Sequence, residues 1–310
     1  MLEITIEKFN ETYPLIRSKS PPYKRVILLA LDGLGTFYKK VPTPNLDSFV
    51  FLGPEVRAQL PSYSAENWGS ILHGVIPSKH GLTNDTVGLK SYDEKSPYPS
   101  LFKLLQQDHN EMRLASFVSW GPINTGIIEL SVKMDKYSPE INENFFLRFW
   151  LWIKLRILLN SSFDPYVVSK VTNYILDPQN NDVEFLFIHL VDVDEHGHAH
   201  RWGSKNYLNQ MIVMDSQIGE ILKAIETAGW SEDSLIIAIT DHGGVNHDHG
   251  GKSDDETRVF MGLKCNGFNK EKILEEKITN MDCAAIILNA LGFEIPSWFD
   301  AKLPSGLFNV

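Results

Sequence analysis

Residues able to bind a cation or attack an electrophile collect at four places in the chain. Asp32 follows the apolar run Val26-Ile-Leu-Leu-Ala-Leu31, and Ser64 stands close before Asn67 in Ser64-Ala-Glu66-Asn67-Trp68. Asp192-Val-Asp194-Glu-His196-Gly-His198-Ala-His200 follows a second apolar run. Asp241-His242-Gly-Gly-Val-Asn-His247-Asp248-His249 follows a third. Seven of the ten histidines lie within 189–200 and 242–249, a concentration that scattered core or surface histidines would not produce. Mixed carboxylate and imidazole donors suit zinc-type sites. Asp32, Asp194, His198, Asp241, His242 and His249 exceed the need of one ion and divide into two sets of three. Two ions ~3.5–4 Å apart make the usual clamp for in-line displacement at phosphorus. Each group also has a plain reading. Asp32 serves equally as a turn former, and Ser64 as a helix N-cap. The sharper alternative makes Ser64 a nucleophile beside helix N–H groups that cradle a phosphoryl anion.

Three elements must position these groups. The runs 25–31, 184–191 and 236–239 are mainly apolar, as strands buried on both faces of a parallel sheet should be. Open α/β sheets gather their ligands at the carboxyl ends of such strands, which is where the acids and histidines stand. Around them, residues 1–25 read as a polar lead-in. A helix starts at Thr43-Pro44, and another carries Trp68, Ile71 and Leu72 on one side. Tyr98 onward gives a helix, Met112–Val118 a strand, Tyr207–Ala228 an amphipathic helix and Val259–Leu263 a strand. A helix at Met281–Leu291 is closed by Gly292. Strand–helix alternation lapses across 120–180, which reads as a cap or insertion. Inside it, 145–159 is an aromatic stretch interrupted by Arg148, Lys154 and Arg156, too short to span a bilayer. A packed cap helix is the main reading of it, and a membrane-surface or partner-binding helix the alternative.

The expectation is therefore one α/β domain over 1–310, a three-layer sandwich with a mostly parallel central sheet and a small insertion at 120–180. A net charge of −10 opposes a surface for duplex nucleic acid. Cys265 and Cys283 are too few for a disulfide framework and read as structural thiols. The chain shows no leader pattern and no uncharged span, so a cytoplasmic home is the default expectation.

The ordered motifs resemble the alkaline phosphatase superfamily, nearest its type I phosphodiesterase/nucleotide pyrophosphatase branch, from about Val26 to the end and least well over 120–180. The resemblance rests on Asp32-Gly33, Thr43-Pro-Asn-Leu-Asp, Ser64-x-x-Asn67, Gly74-x-x-Pro77-x-x-His80-Gly81, Asp194-x-x-Gly197-His198, Asp241-His242-Gly243 and His249-Gly250. It implies an alkaline phosphatase-like fold and a metal-dependent hydrolase of phosphodiester or pyrophosphate bonds in small-molecule or nucleotide substrates. Two divalent ions are implied, zinc first with manganese tolerated. Asp32, Ser64, Asp241 and His242 would hold one ion, and Asp194, His198 and His249 the other. Ser64 would be the nucleophile where the branch usually has threonine, and Asn67 would donate to a phosphoryl oxygen. His196 and His247 remain alternative ligands; His73, His80, His196 and His200 otherwise fall to supporting roles. A phosphomonoesterase, a phosphonate hydrolase or an inactive metal-binding module are the alternatives. Ser64-Ala-Glu-Asn lacks the sulfatase signature, the chain is short for a phosphoglycerate mutase, and the absence of membrane helices sets phosphoethanolamine transferases aside. Glu66 has no assigned role.

Overall fold

The structure, a computed structural model, describes residues 15–307 except 19, 54, 108, 140–161 and 266–276. The aromatic stretch 145–159 thus lies outside the described residues. Among the described residues ten strands are formed: β1 (Arg25–Leu31), β2 (Val50–Phe51), β3 (Val56–Arg57), β4 (Arg113–Val118), β5 (Asp135–Tyr137), β6 (Val183–Leu190), β7 (Ser234–Ile239), β8 (Arg258–Val259), β9 (Met261–Lys264) and β10 (Ile278–Thr279). Seven make the central sheet, in the order β2-β9-β7-β1-β6-β4-β5. From β7 to β5 the pairings are parallel, while β9 runs antiparallel to both β7 and β2. The sheet is therefore mixed with a parallel centre, as the apolar runs require. β3, β8 and β10 form a separate small sheet.

All seven residues of β1 are buried, and alternate side chains feed different cores, as the two-residue period of a strand dictates. Val26, Leu28 and Ala30 pack with the helices Ser64–His73, Leu101–Gln107 and Cys283–Ala290. Ile27, Leu29 and Leu31 pack with the helices Asp164–Leu176 and Lys205–Thr227. Helices thus cover both faces, giving the three layers read from the sequence. Burying strands this completely is worth on the order of 25 cal/mol per Å² of apolar surface, which is why parallel centres read as unbroken hydrophobic runs.

Part of the segment expected as an insertion belongs to this framework. β5 extends the sheet beside β4, and the helix Asp164–Leu176 packs on Lys205–Thr227. The single strand read over Val259–Leu263 is in fact two: β8 turns to the small sheet and β9 to the large one. Around the turn, Phe260 and Met261 are both buried.

Candidate active site

β1 lies between β6 and β7, with Ala30 level with His189 on one side and Ile239 on the other. The chain leaves all three strands at the same edge, and each exit carries ligand-type residues. Asp32 follows β1 directly. Thr240-Asp241-His242 follow β7. After β6 the helix Asp192–His200 begins, placing Asp194 in its first turn and His198 one turn later. Asp164 anchors that helix, its carboxylate accepting the N–H groups of Val191 (2.9 Å) and Asp192 (3.0 Å). Gly33 adopts φ +71°, and a Cβ there would lie 2.7 Å from Cβ of Asp194. The close approach of the β1 and β6 exits therefore depends on this glycine.

Two clusters result. In each, one potential ligand atom per residue lies within 4.8 Å of the others: Asp32, Asp241 and His242 in one, Asp194, His198 and His249 in the other. Ser64 joins the first, its Oγ 3.0 Å from Nε2 of His242. That nitrogen is also 3.1 Å from Asp241 Oδ2 and 3.5 Å from Asp32 Oδ1. In the second cluster, Asp194 lies 3.4 Å from His198 Nε2 and 3.8 Å from His249 Nε2. The two clusters touch through the rings of His242 and His249, stacked 3.7 Å apart.

The hydrogen bonds set the tautomers. His242 Nδ1 faces the carbonyl of Gly243 (2.8 Å), His249 Nδ1 that of Ser62 (3.0 Å) and His198 Nδ1 that of His247 (2.9 Å). A ring nitrogen facing a carbonyl carries the proton, so all three Nε2 atoms present lone pairs to carboxylate oxygens. Lone pairs meeting carboxylates need a cation or a proton between them. Burial, with the neighbouring imidazoles, pushes His242 well below the ordinary histidine range and lowers His249. Burial followed by the charge of Asp32 pushes Asp194 and Asp241 well above the carboxylate range. Asp32 is buried too, but hydrogen bonding from His189 and the nearby imidazoles hold it at about 2. Asp32 Oδ1, Asp194 Oδ1 and Asp241 Oδ2 are buried without a hydrogen-bond partner. Buried orphan carboxylate oxygens beside imidazole lone pairs fit divalent ions, and the N/O donor sets suit zinc with manganese tolerated.

Ser64 is not an N-cap. The helix Ser64–His73 begins at Ser64, Tyr63 occupies the capping position, and Ser64 Oγ turns to His242 instead. Asn67 corrects the sequence reading. Its Oδ1 accepts from Gln59 N (2.7 Å) and Asn280 Nδ2 (2.8 Å), and its Nδ2 donates to Tyr63 O (3.0 Å). Fully buried, with a second Nδ2 hydrogen directed at Pro61 O (3.3 Å), this amide braces the 59–63 turn and turns both hydrogens to backbone carbonyls. Of the alternative ligands, His247 is exposed and donates to His198 O, and His196 Nδ1 donates to Asp192 O; neither belongs to either cluster. His73 sets its two ring nitrogens against the carbonyls of Tyr98 and Ile127, and His80 lies under the Ser64 helix against Ser70 and the Glu66 carbonyl. His200 packs on His196.

Several supporting residues had no sequence reading. Trp68 Nε1 and His189 Nε2 each donate to Asp32 Oδ2 at 2.9 Å. The signals for His189 were its place among the clustered histidines and its position near the end of a mainly apolar β6. Asn84 Oδ1 accepts Ala65 N (2.8 Å), capping the Ser64 helix from a distant loop. Trp202 donates to Gly33 O (2.9 Å) and packs against His198 and His249.

This sheet, with its paired clusters at the carboxyl edge, is the architecture of the alkaline phosphatase superfamily. Murine ectonucleotide pyrophosphatase/phosphodiesterase 5, solved as an inactive variant in complex with AMP, superimposes with a TM-score of 0.65 at 13% identity, covering 88% of this chain and 96% of that one. A 2-O GAG sulfatase, BT1596, gives 0.63 at 12% identity, over 90% of this chain and 73% of that one. The family model for type I phosphodiesterase/nucleotide pyrophosphatase matches residues 26–259, and the chain belongs to that family. It is therefore a member of an enzyme family that acts on phosphodiesters. Curated relatives include GPI ethanolamine phosphate transferase 1 of Emericella nidulans, 27% identical over 91% of this chain, and that of Candida glabrata, 20% identical over 93%. The chain spans about a third (34%) of the length of these relatives. That removes the ground for setting phosphoethanolamine transferases aside, since the chain matches only about a third (34%) of each of these relatives. Among the described residues, no helix is long and apolar enough to cross a membrane.

Proposed function

We propose that the chain carries a two-metal phosphodiester-cleaving centre working through a phosphorylated Ser64. Asp32, Ser64, Asp241 and His242 would hold one ion, and Asp194, His198 and His249 the other. The observation that carries this reading is Ser64 Oγ, 3.0 Å from His242 Nε2 and beside carboxylate oxygens that have no protein partner. When bound, the ions supply a lowered pKa at the Ser64 hydroxyl and positive charge for the developing oxyanions. The chain's own residues do the rest. Trp68 and His189 fix the Asp32 carboxylate, and Gly33 N–H fixes Asp241 Oδ1 at 3.1 Å. Backbone carbonyls fix the three imidazoles, and the positive end of the Ser64–His73 helix faces the phosphoryl group.

Ser64 Oγ gives up its proton to solvent and forms the O–P bond, while the ester bond opposite breaks and the leaving alkoxide takes a proton. An incoming hydroxyl then displaces Ser64. With water as acceptor the enzyme is a hydrolase, and with an alcohol a transferase. The ethanolamine phosphate transferase relatives favour the alcohol and a phosphodiester substrate. Zinc-loaded protein incubated with bis-p-nitrophenyl phosphate, with and without added ethanolamine or glycerol, tests both steps. Expected are p-nitrophenol release lost in Ser64→Ala, a Ser64 peptide carrying the remaining p-nitrophenyl phosphoryl group by mass spectrometry, and transfer product when the alcohol is present. Unchanged turnover in Ser64→Ala would sink the mechanism; free phosphate monoester as the sole product at high alcohol would favour hydrolysis.

A further inference from the structure

We propose that Tyr63 is a specificity-determining residue that seats the apolar body of the leaving group beside Asp194, His198 and His249. This rests on the two-metal reading above and adds the leaving-group class to it. Tyr63 immediately precedes the nucleophile, and its ring stands edge-on to His249, centroids 5.6 Å apart. Gly250 makes room for it: with φ +110°, a Cβ at that position would lie 2.2 Å from the ring. Ser62 locks the two loops together. Its carbonyl accepts His249 Nδ1–H (3.0 Å), and its Oγ accepts Gly250 N–H (3.1 Å) and donates to Gly251 O (2.7 Å).

The ring is thus held in place by backbone, yet 37% of Tyr63 stays exposed. Leu60 is 56% exposed on the same loop, and Val245 38% exposed on the loop that carries His249. Single exposed apolar residues are ordinary on a protein surface. Here three stand on the two interlocked loops that deliver the nucleophile and a ligand. The loop that caps Ala65 is instead Asn84-Asp85, exposed and polar. A fixed aromatic edge gains by covering alkyl, acyl or aryl surface. The leaving group so selected is an alcohol with an apolar body.

Calorimetric binding of inorganic phosphate and of ethyl, butyl and hexyl phosphate to the zinc-loaded protein tests this. Kd should tighten about tenfold or more from ethyl to hexyl phosphate. Tyr63→Ala should reduce that gradient to about twofold, Tyr63→Phe should retain it, and Leu60→Ser, a change at an exposed position, should shorten it. Equal affinity for the three alkyl phosphates while phosphate still binds, or a full gradient in Tyr63→Ala, overturns the leaving-group seat and leaves the metal centre standing. Failure of the zinc-loaded protein to bind inorganic phosphate overturns both.

Discussion

The two ligand clusters share a chemistry but are built differently. Asp32, Asp241 and His242 are each at most 2% exposed and follow directly on central strands. Side-chain donors from Trp68 and His189 clamp Asp32, and Gly33 N–H clamps Asp241. The second cluster sits on a helix and a loop, and the His198 side chain is 39% exposed. Its imidazoles are set by backbone carbonyls, while Asp194 Oδ1 has no hydrogen bond. Both halves keep buried carboxylate oxygens without a hydrogen-bond partner, but the first is packed into the core and the second lies nearer solvent. In the proposed mechanism the buried half would place the nucleophile accurately, and the solvent-facing half would suit exchange of leaving group and acceptor.

The largest expected effect strikes the shared catalytic step. Ser64→Ala should lower kcat for bis-p-nitrophenyl phosphate at least about a thousandfold, measured with zinc at saturation. Smaller, and confined to the buried half, is the effect of Trp68→Phe. Losing the donor to Asp32 should weaken zinc at that site about 10- to 100-fold, read by competition with a fluorescent chelator; an equal loss at both sites would erase the contrast between the halves. Stripping with graded chelator should be biphasic, with the Asp194–His198–His249 ion leaving first. A single phase would mean the halves are coupled more tightly than their packing suggests.

The pH dependence should be the mildest effect. Burial keeps protons on Asp194 and Asp241 in the metal-free fold above the pH at which the unfolded chain has lost them. The stabilisation from those raised values is full below the ordinary carboxylate range and is lost as pH rises through the raised ones. Zinc must displace the same protons, while His242 and His249, lowered by burial, offer none across this window. The zinc-induced rise in Tm should therefore be larger at pH 8 than at pH 5.5, by a few degrees. A shift independent of pH would count against carboxylate ligation.

Much of the site was legible because a parallel sheet writes itself plainly. β1, β6 and β7 had to be mainly apolar runs, so Asp32, Asp194 and Asp241 stood out where each run stopped. What misled was local sequence taken without its surroundings. Asn67 looks free beside Ser64, but Asn280, 213 residues away, and Gln59 consume its amide. Segment 120–180 lacks strong periodicity because β5 is three residues long at the sheet edge, and a short edge strand needs little apolar pattern.

By itself the sequence determined the fold class and gathered carboxylates and imidazoles at three strand exits, since burial on both faces and the left-handed turn at Gly33 are local demands. Only the tertiary structure decided which nitrogen of each histidine faces inward, that Trp68 and His189 hold Asp32, and that Tyr63 leans on His249 rather than into the core. Those outcomes depend on contacts between residues far apart in the chain, and no local spacing encodes where a distant carbonyl or indole will be.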